Sequence, residues 1–227
     1  MVGRSIHSGR ARSHGWKRGH LGVLVAMLAS LAIAASAAHA GAPSTPKRVG
    51  ATKPTIRVGA TGSFVTNDLT GALTPFDLAY SLLGPGVTIS NVTFTGSLVA
   101  AGTFAGGAGI ISFPSGVILS SGNVANVVGP NVTDSISLDN GLPGDADLNS
   151  LVGGYLTLDA TILEFDFVPN ASTVFFEYVF ASDEYNEWVY TGFDDVFAFY
   201  VNGQNCAVVG APLVPVSIDT INNGNPY

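Results

Sequence analysis

Three late stretches decide the fold: ATILEFDFVP (160–169), TVFFEYVFAS (173–182) and DVFAFYV (195–201). In the first, Leu163, Phe165 and Phe167 alternate with Ile162, Glu164 and Asp166, the period of two that a strand imposes on its faces. In the second, Val174, Phe176, Tyr178 and Phe180 alternate with Phe175, Glu177, Val179 and Ala181. The third is apolar at almost every position. A strand with two apolar faces cannot belong to a single wetted sheet and must lie inside a layered β structure. VTISNVTFTG (87–96) and GVILSSG (116–122) add β-branched runs closed by turn residues, with 28 Gly and 12 Pro punctuating the chain. One helix is expected, at about 74–83. Thr74 can serve as N-cap, Pro75 as N1 and Asp77 as N3, while Phe76, Ala79, Tyr80 and Leu83 form its apolar face. The expected fold is mainly β, a β-sandwich or jelly-roll-like domain with one short helix.

Working outward to the N-terminus, residues 1–20 are polar and basic, and 21–40 (LGVLVAMLASLAIAASAAHA) are apolar and uncharged. Ala38 and Ala40 place small residues at −3 and −1 of a cleavage box, so 1–40 reads as a signal peptide and Gly41 as the mature start. Residues 41–55 are a Pro-, Gly- and Thr-rich flexible linker, and the β domain runs from Ile56 to Tyr227. Export makes the protein secreted or surface-bound, extracellular in either case. In an oxidising compartment the single cysteine, Cys206, has no internal partner and is expected to be a small buried hydrophobe.

Charge excludes more than it assigns. Nine Lys and Arg all lie between Arg4 and Arg57, the four His all lie by residue 39, and all 16 Asp and Glu lie after Arg57. The body therefore carries a formal −16 with no basic side chain. Nucleic acid would be repelled, since phosphate binding needs Lys and Arg. A Ser-His-Asp or Cys-His nucleophile lacks its imidazole, a zinc site lacks its His or Cys ligands, and a P-loop lacks its lysine. Carboxylates, amides, hydroxyls and backbone are what remain.

The carboxylates gather twice. GDADLN (144–149) spaces Asp145, Asp147 and Asn149 at alternate positions, as calcium loops begin, although Ser150 and Leu156 rule out an EF-hand. SDEYNEWVYTGFDD (182–195) packs Asp183, Glu184, Glu187, Asp194 and Asp195 into 13 positions, interleaved with Tyr185, Trp188 and Tyr190. Those eight side chains are the candidate metal ligands, with Ca2+ as the expected ion, against the alternative of a solvated acidic loop. Tyr185, Trp188 and Tyr190 are candidate stacking surfaces for a glycan. Two carboxylates of a glycoside hydrolase are the third alternative, which needs a facing pair across a cleft.

In order along the chain, LLGPGVTISNVTFTG (82–96), PSGVILSSG (114–122), GPN (129–131), GDADL (144–148), DATILEFDFVP (159–169), FEYVFASDEY (176–185) and FDDVFAFYVNG (193–203) resemble the bacterial choice-of-anchor L domain. The resemblance spans roughly residues 70–222. It implies an exported, largely β module of surface proteins with alternative C-terminal anchors and no established catalysis. Members usually carry Asn-Asp where this chain has Asp194-Asp195, which adds a carboxylate here. Their pattern also continues beyond PVSIDTINNGNP, so the domain is expected to be C-terminally incomplete, with a missing anchor and an unpaired strand edge prone to aggregation. The expected function is a non-enzymatic secreted or cell-surface module, adhesive or structural and calcium-stabilised. A carbohydrate-binding module and a two-carboxylate glycoside hydrolase are the alternatives. Its partner would be an extracellular glycan or protein, with membrane contact only through the export signal or the missing anchor.

Overall fold

The computed structural model describes residues 63–83, 87–130, 136, 138–169 and 176–223, together with the backbone of 6–12 and 23–28. Strands are β1 (Ile6–Arg12), β2 (Val23–Leu28), β3 (Val65–Asp68), β4 (Thr88–Thr95), β5 (Ala101–Ala105), β6 (Ser115–Ser120) and β7 (Leu156–Val168). The chain continues with β8 (Glu177–Ser182), β9 (Phe193–Val201), β10 (Gln204–Asn205), β11 (Val208–Val209) and β12 (Val214–Ser217). Two helices, α1 (Pro75–Ser81) and α2 (Ala146–Leu151), complete the set with short 3-10 turns at Leu98–Ala100 and Val124–Val128. One sheet runs β11-β12-β9-β1-β7-β4, with β10 on β9, and the other runs β3-β5-β6-β2-β8. The expected β-sandwich is what forms.

The two-faced strands have a simple cause: each sheet is covered on both sides. Leu163, Phe165 and Phe167 of β7 meet Phe197 of β9, Val216 of β12, and Val117 and Leu119 of β6 in the core between the sheets. The alternate residues Ala160, Ile162, Val196 and Ala198 point outward and are covered by Leu148 and Val152 from α2 and the turn that follows it. On the other sheet Ile118 points outward and packs with Phe64, Phe104 and Val124. Phe197 is fully buried, and truncating such a side chain typically costs about 3 to 5 kcal/mol through lost transfer energy and the cavity left behind. Gly102 permits the close approach of β3 to β5, since a Cβ there would sit 2.1 Å from the Asn67 carbonyl oxygen.

Thr74 caps α1 as expected, in a reciprocal capping box with Asp77 and with Pro75 at the first helical position. Of the expected stripe, Ala79 is buried and Leu83 packs half-buried against the core, but the buried face is rotated away from Phe76 and Tyr80. Leu78, Ala79 and Leu82 face the core, whereas Phe76 and Tyr80 stand exposed. The reason lies in the spacing: Leu78/Leu82 and Ala79/Leu82 satisfy the same i, i+3/i+4 rule, and a seven-residue helix can turn only one stripe inward. Cys206 is likewise corrected. It is exposed, because the hairpin beyond β10 turns the neighbouring Ala207 into the core instead.

Strands β1 and β2 lie within residues 1–40, the stretch that reads as an export leader. β1 sits between β7 and β9, and β2 between β6 and β8, all antiparallel. The linker 41–55 and Val174 and Phe175 of the second strand motif lie outside the described residues.

Candidate functional site

The first acidic group resolves into a helix start. Asp145 is the N-cap of α2, its Oδ1 accepting from the amides of Asp147 (2.9 Å) and Leu148 (3.1 Å). Asn149 accepts from the Thr157 amide at 2.6 Å and the Thr157 hydroxyl at 2.8 Å, pinning the helix to β7. Gly144 allows that contact, since a Cβ there would overlap the Thr157 carbonyl. Asp147 is exposed in the first turn, where a carboxylate suits the helix dipole. The three oxygen-bearing side chains thus lie along the start of one helix, two of them engaged in local hydrogen bonds. Burial raises the Tyr200 hydroxyl above its ordinary range, and the Asp147 and Asp145 charges add to it.

The second group occupies the turn 183–192, where the chain leaves β8 in one sheet and enters β9 in the other. Adjacent residues of β9 point to opposite faces, so Asp194 and Asp195 serve different neighbours. Asp195 is fully buried, and its Oδ2 accepts from the Ser182 hydroxyl at 2.5 Å; Ser182 Oγ in turn accepts from the Glu184 amide at 2.9 Å. In the β1–β9 register Arg10 stands opposite Asp195. Asp194 Oδ1 accepts from the Asp219 amide at 3.2 Å, and Asp219 Oδ1 accepts from the Tyr190 amide at 2.6 Å. These bonds stitch the β8–β9 turn to the turn after β12. Asp183 Oδ2 reaches across 47 positions to the Ile136 amide at 2.5 Å. Glu184 is fully buried and Glu187 is exposed.

Burial lifts the Asp194 carboxyl to about 6, against hydrogen bonds from the 217–219 segment that favour the anion and the Asp219 charge that disfavours it. Burial also raises the Tyr185 hydroxyl well above the usual tyrosine range, with Asp195 and Asp194 reinforcing it. Tyr185 packs edge-on against Phe180, and Trp188 edge-on against Phe193 with ring centroids 5.2 Å apart. Only Tyr190 of the three expected stacking residues is widely open, at 72% exposure.

The structure therefore brings Asp194, Asp195 and Tyr185 into one electrostatic neighbourhood and keeps Asp145, Asp147 and Asn149 apart from it as a helix start. Among the described residues no three His, Cys, Asp or Glu side chains gather as a metal-holding group. Sequence reasoning missed Ser182, Asp219 and Asp159. Asp159 is buried within β7, accepting from the amides of Leu142 (2.7 Å) and Asn140 (3.3 Å), and a carboxylate at the head of the run DATIL was its only signal. Residues 66–227 match the family model described as the choice-of-anchor L domain. No curated protein and no solved structure matches the chain.

Proposed function

Because the chain belongs to the choice-of-anchor L family, we propose that it is an exported, non-enzymatic surface module, structural or adhesive, whose acidic corner is a clasp between segments. The observation that supports this reading is the use made of the carboxylates. Asp183, Asp194 and Asp195 each hold a hydrogen-bond donor, and those of Asp183 and Asp194 are amides on distant segments. A carboxylate that accepts such bonds fixes the segments it joins.

Calcium stabilisation is the second reading, favoured by the density of like charge in 183–195, within a stretch (58–227) that carries no Lys or Arg. Thermal melts of the full chain in chelator and in 1 mM calcium separate the two. A clasp complete in itself gives superimposable curves. A site with a dissociation constant near 0.1 mM, in the range of extracellular modules, adds about 1.4 kcal/mol at that concentration and raises Tm, with the gain lost on Asp183→Asn.

A further inference from the structure

A second polar feature lies away from the acidic corner. Between β3, the turn after it, and α1 opens a cleft of about 600 Å³, lined by Thr66, Asn67, Asp68, Thr70, Asp77 and Thr103 among others. That volume falls within the range of small-molecule sites. Its two carboxylates are held in place by their own loops. Asp68 Oδ1 accepts from the Thr70 amide (2.9 Å) and hydroxyl (2.5 Å), and Asp77 Oδ2 accepts from the Thr74 amide (2.9 Å) and hydroxyl (2.6 Å). Their other oxygens, Asp68 Oδ2 and Asp77 Oδ1, take no hydrogen bond among the described residues.

The helix that contributes Asp77 to this cleft also carries an aromatic pair. Phe76 and Tyr80 are 51% and 65% exposed, with ring centroids 6.2 Å apart and planes within 17° of each other. At roughly 100° per residue, Phe76, Asp77 and Tyr80 fall within one 100° arc of α1. The carboxylate that lines the cleft and the two flat rings therefore share one side of the helix.

We propose that this cleft binds a neutral oligosaccharide, with Phe76 and Tyr80 as its stacking platform and Asp68 and Asp77 as acceptors for sugar hydroxyls. The chemistry selects the ligand class. A sugar offers an apolar C–H face to an aromatic ring and hydroxyl donors to fixed carboxylate oxygens, and the threonine hydroxyls and the Asn67 amide can both donate and accept. Phosphorylated, sulfated or uronic-acid glycans are disfavoured, because the described residues lining the cleft include two carboxylates and no Lys, Arg or His to meet an anion. The Thr74 bonds also hold the Asp77 carboxyl below its ordinary range, which keeps it an acceptor in mildly acid surroundings.

The proposal deepens the surface-module reading by naming a ligand. The calcium melts probe other residues, so either can fail without the other. The test titrates the full chain calorimetrically with neutral hexasaccharides of glucose, mannose, xylose and N-acetylglucosamine, and with a uronic-acid oligomer. At least one neutral hexamer should bind. Tyr80→Ala should weaken it about tenfold while Tyr80→Phe retains it, and Asp68→Asn should weaken it severalfold. Both side chains are surface-accessible, and melting curves check that the variants fold. Binding by none of the neutral sugars, or preference for the uronic-acid oligomer, overturns the proposal. Binding that Trp188→Ala abolishes but Tyr80→Ala leaves intact overturns it too, by moving the ligand to the 183–192 turn.

Discussion

Asp145-Ala-Asp-Leu-Asn and the Asp183-to-Asp195 turn carry the same chemistry in sequence, oxygen side chains at calcium-loop density, and come to opposite ends in the fold. The first follows a helical turn, with Asp145 half-exposed and Asp147 exposed; Asp145 satisfies amides two and three positions on, and Asn149 the Thr157 amide eight positions on. The second crosses between sheets, and Glu184 and Asp195 are fully buried there. A carboxylate's role is set by how far away its partner lies and how dry the contact is. Local partners make a cap; distant, buried partners make a clasp.

The largest way to sharpen that contrast is at Asp195. Removing a buried carboxylate leaves the Ser182 hydroxyl without its acceptor and disrupts a network that also holds the Glu184 amide. Asp195→Ala is expected to cost about 3 kcal/mol or more, read from urea unfolding midpoints at pH 7. A cost below about 1 kcal/mol would mean the corner is no clasp.

The next effect is a pH dependence peculiar to the clasp. Folded Asp194 titrates near 6, above its ordinary 3.8, so between these values the folded state holds a proton that the unfolded chain releases. Stability from this group is therefore complete below about pH 4, falls as pH rises through 6, and is flat above. The full swing is on the order of 2 to 3 kcal/mol. Asp194→Asn keeps an acceptor for the Asp219 amide and cannot ionise. The stability difference between variant and parent should grow in the variant's favour from pH 4 to 7. A difference that is constant across that range would show that Asp194 titrates as an ordinary surface carboxylate.

These contrasts also explain what could be read in the sequence. The core strands were legible because Leu163, Phe165, Phe167 and Phe197 follow a period of two, and their two-faced character required cover on both sides. The start of α1 was legible because Thr74, Pro75 and Asp77 each do a local job. Its buried face was not, since two stripes fit one short helix and only the placement of the core chooses between them. The cover itself was hidden: α2 is six residues long, too short to show a period, and its cap shares the Asp-x-Asp-x-Asn spacing with calcium loops. Nor could spacing show that Asp194 reaches the 219 turn, that Asp183 reaches Ile136, or that backbone at 6–12 and 23–28 takes central strand positions. Those are pairings between segments far apart in the chain, and periodicity carries no information about partners.

The smallest effect belongs to the local partner. Asp145→Ala removes an N-cap whose two amide donors, on exposed Asp147 and buried Leu148, lose their acceptor. The expected cost is about 1 kcal/mol, as for caps elsewhere, and Asp145→Asn or Asp145→Ser should recover most of it because either side chain can accept the same bonds. A calcium ligand behaves differently: Asn or Ser at that position would sacrifice charge and with it most of the affinity. Full recovery by the neutral caps, unchanged by chelator, is the result that a helix start requires. Failure of both neutral caps to rescue, together with a chelator-sensitive parent, would return Asp145 to the metal-ligand role and erase the difference between the two acidic regions.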